Sequence, residues 1–281
     1  MKTYLDCIPC FFDQALRAGR MATDDPVLHK RLLDELGRML GDLSLASTPP
    51  ETGRLIYQMV SRVTGNADPY RQLKRESTEQ ALTLYPAMKK TVEQADDGLL
   101  TAIRIAIAGN VIDPGANATF DIEEALQDVM EQKFAVCDYQ AFKRYLADSG
   151  RVLFIGDNAG ETVFDRLLIE QMNIPAVYVV RERPVINDAT YDDAVKAGLD
   201  TVATIISSGT DAPGTVIPTC SREFRQILDQ SDFVVAKGQG NYEGLSDYPH
   251  PIFFLLKAKC EIIAEAIGVT KGDIILKGMN T

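Results

Sequence analysis

Three short stretches carry side chains that can do chemistry. They are Asp157-Asn158 within Gly156-Asp-Asn-Ala-Gly160-Glu161, Asn187-Asp188 within Arg183-Pro-Val-Ile-Asn-Asp-Ala-Thr190, and Lys237 within Lys237-Gly-Gln-Gly240-Asn241-Tyr-Glu243. The first two each set a carboxylate beside a carboxamide. Hard oxygen donors of this kind suit a divalent cation such as Mg2+ or Mn2+, and no His or Cys stands among them to favour zinc. In the third, a lysine precedes Gly238, Gly240 and Gly244, whose backbone N–H groups can approach an anion such as phosphate closely. Plainer readings stand beside these. Asp157, Asn158 or Asp188 can simply cap the helix that follows, and glycine-rich turns are common.

Each stretch needs a strand to deliver it. Val152–Ile155, Ala176–Val180, Thr201–Ile206 and Phe233–Ala236 are apolar runs that alternate with helical patterns from residue 151 onward. Continuous apolar runs of this length fit buried parallel strands with helices on both faces. The carboxyl ends of parallel strands share one edge, where open α/β sheets bind ligands. Asp157, Asn158, Asp188 and Lys237 would then meet there. Residues 1 to about 110 are instead rich in helical spacing: Phe11–Met21, Pro26–Leu45, Glu51–Thr64, Arg71–Tyr85 and Met88–Gly109. Pro251–Ala266 has the character of a long apolar helix and Asp273–Lys277 that of a last strand. The expected architecture is a helical N-terminal domain (1–115) on a three-layer α/β/α domain (116–281) with a mainly parallel sheet, and a ligand cleft between them.

The chain has 281 residues, 46% hydrophobic and 25% charged, with a formal net charge of -11. That balance disfavours nucleic acid and anionic membranes as partners, since both require basic surfaces. A small phosphorylated metabolite remains compatible, because a metal and one or two local cations can recruit it. No apolar run approaches the roughly 18 residues of a membrane helix, and the N-terminal residues lack an apolar signal-peptide core. A cytoplasmic location is the expectation.

The motifs exclude several chemistries. Gly238-Gln-Gly-Asn241 lacks the ending of a phosphate-binding P-loop, and Gly156-Asp-Asn-Ala-Gly160 is not a dinucleotide fingerprint. Ala159 stands where an aspartyl-phosphate phosphatase would place its second Asp, which favours water over Asp157 as nucleophile. These same stretches, GDNAGE, RPVINDAT and KGQGNYE, resemble the motifs of the metal-dependent damage-control phosphatases, long catalogued as domain of unknown function eighty-nine and also linked to a contested carboxyl-methyltransferase activity. Cys7-Ile-Pro-Cys10, Asp68-Pro-Tyr70 with Lys74, Gly109-Asn110-Val-Ile-Asp113 and Lys257-Ala-Lys-Cys260 extend the resemblance to the prokaryotic branch of that family, which carries an N-terminal CxxC.

The resemblance implies metal ligation by Asp157, Asn158 and Asp188, with Mg2+, Mn2+, Co2+ or Ni2+ as the candidate ion, and contact of Lys237 with the substrate phosphate. It implies that Glu161, Asn187, Thr190, Asn241, Asn110 and Asp113 line the cleft, beside the glycine loop of Gly238 and Gly240. The expected reaction is hydrolysis of a small phosphomonoester such as a sugar phosphate, a phosphopantetheine-like compound or a nucleotide. Asp157 or Glu161 would orient the water, and the sequence does not choose between them. Two other readings are a phosphometabolite-binding protein without turnover and, less favoured, a methyltransferase. The latter lacks a glycine-rich loop after its first strand with an acidic ribose partner. Cys7 and Cys10 form a metal-like or redox-like pair that Cys260 could join. The plain alternative is partly buried thiols at a helix start.

Overall fold

The computed structural model describes residues 1–109 and 130–281. Five helices come first: α1 (Cys7–Ala22), α2 (Pro26–Gly41), α3 (Pro49–Thr64), α4 (Arg71–Gln94) and α5 (Gly98–Gly109). Local chemistry sets their ends. Asp25 accepts a hydrogen bond from the Val27 N–H at the start of α2, where Pro26 sits at the first helical position. Thr48 and Glu51 form a capping box on α3, and Gly65 closes it in a left-handed conformation (φ 74°). The anticipated break near Tyr85 does not occur. α4 runs through Pro86 and stops at Ala95.

The second half alternates. β1 (Phe134–Cys137), α6 (Tyr139–Asp148), β2 (Val152–Ile155), α7 (Thr162–Met172), β3 (Ala176–Val180), α8 (Tyr191–Lys196) and β4 (Thr204–Ser207) are followed by α9 (Arg222–Asp229), β5 (Val234–Lys237), α10 (Gly238–Leu245), β6 (Ile252–Lys257), α11 (Glu261–Ile267) and β7 (Ile274–Met279). The sheet order is β1-β7-β6-β5-β2-β3-β4. All neighbours pair in parallel except β6 with β7. The expected α/β class and mainly parallel sheet are therefore present.

Pro251–Ala266 is a strand followed by a short helix, not one long helix. Ile252–Leu256 is buried without interruption between β5 and β7. A run that is apolar on every side fits an inner strand as well as a buried helix, and β-branched and aromatic residues at its start tip the balance. The glycine stretch after Lys237, expected as a loop, is helix α10.

Alternation along the strands sorts side chains to two faces. Val152, Phe154, Tyr178, Val235 and Phe253 pack with α4, α5, α6 and α7, whereas Leu153, Ile155, Val179, Val234 and Phe254 pack with α9, α10 and α11. α1, α2 and α3 enclose a separate small core around Phe11, Leu32, Leu36 and Ile56. The chain thus passes from β2 outward to β3 and β4, then returns to β5 on the other side of β2. The reversal opens a crevice between the carboxyl ends of β2 and β5. None of the described helices is long and apolar enough to cross a membrane.

Candidate active site

β2 ends at Ile155, and Gly156 follows where a side chain cannot fit. A Cβ there would collide with the Tyr178 hydroxyl. Asp157 and Asn158 then run beside the segment after β3. The Asp157 carbonyl accepts from the Ala189 N–H at 2.8 Å, the Ala159 N–H donates to the Asn187 carbonyl at 2.8 Å, and Asn158 bridges Asp188 in antiparallel fashion. This pairing brings together Asp157, Asn158 and Asp188 from two strand ends. Asn158 and Glu161 make no side-chain bond to cap the helix that follows, so the capping alternative does not account for them. Thr190 is different. It caps α8 in a box with Asp193, its hydroxyl 2.7 Å from the Asp193 carboxylate. Asn187 is partly exposed and contributes its backbone carbonyl to the pairing.

Lys237, expected to contact the substrate phosphate, bonds two carboxylates in this structure. It is fully buried, and its ammonium donates to Glu161 at 2.9 Å and Asp165 at 2.6 Å. Tyr178 donates its hydroxyl to the other oxygen of Asp165 at 2.7 Å. The Asn158 amide donates to the second oxygen of Glu161 and, at 3.4 Å, to Asp157. Both Glu161 oxygens are engaged and the residue has no exposed surface. Burial pulls the Lys237 pKa down, but Asp165 and Glu161 outweigh it and hold the ammonium charged.

A second buried cation closes the site from the other side. Arg181 donates to Asp188 at 2.8 Å and to Asn241 at 3.0 Å. Asn241 in turn donates to the Gly156 carbonyl at 3.0 Å and the Lys237 carbonyl at 2.8 Å, and accepts from Thr215 at 2.8 Å. Asn241 therefore ties together the ends of β2, β3 and β5. Gly238, in a left-handed conformation (φ 77°), turns the chain from β5 into α10 so that Asn241 points back. Gly240 packs against the Pro213 backbone too closely for a side chain.

The electrostatics are those of a surplus of acid. Asp157, Glu161, Asp165 and Asp188 face two buried cations, Lys237 and Arg181. Burial, then the charges of Asp188 and Glu161, push the Asp157 carboxyl up to about 8. Burial likewise raises Asp188 against the opposing pull of Arg181, and raises Asp165 to about 6 against Lys237. Lys259, exposed just beyond β6, also lowers both Asp157 and Asp188. A divalent cation suits this arrangement, since the oxygen donors are hard and their charge is incompletely balanced. No cage of three or more His, Cys, Asp or Glu side chains occurs among the described residues. The donor set here is two carboxylates and one carboxamide.

Asn110 and Asp113 lie outside the described residues. Asp165, Arg181 and Thr215 escaped the sequence reading, and Lys259 entered it only inside the Lys257–Cys260 motif, with no role of its own. Glu161 and Asp165 are four apart on consecutive helical turns, a spacing that puts both carboxylates on one face. A cavity of about 330 Å3 opens between α3, the 67–70 turn and residues 183–186, with Tyr57, Tyr70, Arg183 and Ile186 among its walls. It adjoins the loop that carries Asp188. Ile186 holds a positive φ of 39°, rare for a β-branched residue and a form of strain that clusters at functional sites.

The profile of the damage-control phosphatase ARMT1-like domain matches residues 3–275 of the chain. Damage-control phosphatase PH1575 of Pyrococcus horikoshii is 33% identical, with 98% of this chain and 97% of that protein covered. A damage-control phosphatase of Archaeoglobus fulgidus is 35% identical over 96% of this chain and 97% of its own length. The crystal structure of the Pyrococcus protein superposes with a TM-score of 0.90, covering 98% of both chains. Profile, relatives and fold agree over nearly the whole length, and the chain belongs to the damage-control phosphatase family with an ARMT1-like domain.

Proposed function

We propose that the protein is a metal-dependent phosphatase of small phosphomonoesters. The observation that carries this reading is the pairing of Asp157-Asn158 with Asp188 at the sheet's switch point, in a site with more carboxylates than cations. Asp157, Asp188 and the Asn158 carbonyl oxygen would hold the cation. A divalent ion bound there supplies charge neutralisation and a lowered pKa for the attacking water.

The chain's own groups do the rest. Arg181 fixes the Asp188 carboxylate, and Lys237 with Asn158 fixes Glu161, so both acids are held in place before substrate binds. Glu161 has no free oxygen and no exposed surface, whereas Asp157 is partly exposed. Asp157 is thus the carboxylate placed to orient water. Lys259 is exposed near the two aspartates and would contact the phosphate oxygens. The cavity beside residues 183–186 is of the size that small ligands occupy. Sugar phosphates, phosphopantetheine-like compounds and nucleotides are its candidate substrates, and removal of damaged metabolites its candidate role.

The test is phosphate release from a panel of phosphomonoesters, p-nitrophenyl phosphate included, by EDTA-stripped protein with Mg2+, Mn2+, Co2+ or Ni2+ restored. The reading predicts release that returns with metal and is lost in Asp157→Ala. Metal-dependent ligand stabilisation without any release would identify a binding protein instead.

A further inference from the structure

Cys7 and Cys10 open α1, and two groups from the other end of the chain, Cys260 and Glu243, lie near them, with Gln239 bonded to both of these. Cys260 caps the start of α11, while Glu243 and Gln239 lie on α10. The four acidic groups are close enough to act on one another. Burial first, and then the charges of Glu243 and Cys260 among others, raise both Cys7 and Cys10. Hydrogen bonds hold the cluster. Gln14 donates to the Cys10 sulfur at 3.2 Å, and the Gln239 amide donates to Glu243 at 2.9 Å and to the Cys260 sulfur at 3.5 Å. The Gln239 carbonyl accepts the Lys259 N–H at 3.1 Å. One side chain therefore links the thiol cluster to the segment carrying Lys259.

We propose that Cys7 and Cys10 are a redox-active dithiol, closed to a disulfide by thiol–disulfide exchange with a small disulfide such as oxidised glutathione. Residues three apart in an α-helix have Cα atoms about 5 Å apart, inside the range that a disulfide spans. Their Cβ atoms, about 5–6 Å apart on a regular helix, must draw in to about 4 Å, so closure tightens the first turn of α1, where both cysteines stand. Cys10 is exposed, Cys7 and Cys260 are half-buried, and all three are free thiols. Exposure makes Cys10 the entry point, and because its pKa is raised the exchange is slow at neutral pH and speeds up as pH rises. Its thiolate attacks one sulfur of the small disulfide and expels a thiolate, leaving a mixed disulfide. The Cys7 thiolate then attacks the Cys10 sulfur and expels the second small thiolate. Two electrons pass to the small disulfide, and the two protons lost by the cysteines go to the departing thiolates. Cys260 stays a thiol under the Gln239 amide.

The experiment uses the full chain and reads thiols, not phosphate release, so its outcome is independent of the phosphatase reading. The protein is equilibrated with oxidised glutathione, quenched by alkylation, unfolded and digested. Five free thiols in the reduced protein should fall to three, with Cys7 and Cys10 joined within one peptide. The linkage should survive in Cys260→Ser and vanish in Cys7→Ser and in Cys10→Ser. Five thiols remaining, a link made to Cys260, or zinc retained by the reduced wild type and lost in Cys10→Ser would each overturn the proposal.

Discussion

Replacing Lys237 with Met separates two roles that the sequence could not distinguish. In the structure the Lys237 ammonium is fully enclosed and bonded to Glu161 and Asp165, both fully buried. Lys237→Met keeps most of the volume and removes the charge, leaving two carboxylates in the interior. Breaking a buried pair from one side costs about 3–5 kcal/mol. Protonation relieves part of that cost. Asp165 stands at about 6 even with the lysine present, so without it the acid takes up a proton near neutral pH. The loss should fall near the lower figure at pH 6 and near the upper at pH 8. For a chain of this size it corresponds to a drop in Tm of roughly 6–20 °C. Urea unfolding followed by circular dichroism at both pH values measures it. A loss below about 1 kcal/mol at pH 8, with a raised KM for a phosphomonoester, would refute the structural role and return Lys237 to the phosphate.

Lys259→Ala should leave urea stability within about 0.5 kcal/mol, as expected for an exposed side chain, while steady-state assays show phosphate release falling by at least about tenfold. In metal-free protein the folded pKa of Asp157 lies above its unfolded value, at about 8 against 3.8. The folded state therefore binds more protons between those values, and stability should fall as pH rises from about 4 to about 8. Melting curves in EDTA show the slope, and Mn2+ should raise Tm most at the alkaline end. Gly156→Ala places a methyl group against the Tyr178 hydroxyl, which bonds Asp165. Overpacking of this kind costs about 1–3 kcal/mol, readable as a lower urea midpoint, and unchanged stability would show that Tyr178 can move aside.

The strand ends were legible because burial leaves a plain mark in a parallel sheet. Val152–Ile155, Ala176–Val180 and Val234–Ala236 are short apolar runs stopped by a glycine or a charged residue, and their carboxyl ends converge by topology alone. The partners of those ends were less legible. Asp165 looks like a solvent-facing helix residue until α7 is known to be covered by α4 and α5. Arg181 heads the polar run Arg181-Glu-Arg183, yet it is almost fully buried while the next two residues are exposed. Lys259 stands in the Lys257–Cys260 motif, but a single helix over Pro251–Ala266 gives it no place at the strand edge. Once Ile252–Lys257 is a strand parallel to β5, its end reaches the same edge as Asp157 and Lys237. Local spacing cannot supply that, because strand neighbours far apart in sequence decide it.

The most direct measurement of the metal site is calorimetric titration of Mn2+ into EDTA-stripped protein, wild type beside Asp157→Asn. The account predicts saturable binding to the wild type, and affinity weakened at least about tenfold, or about 1.4 kcal/mol, in the variant. Equal affinity in the two proteins, or no binding to the wild type at all, would contradict a cation held by Asp157, Asn158 and Asp188.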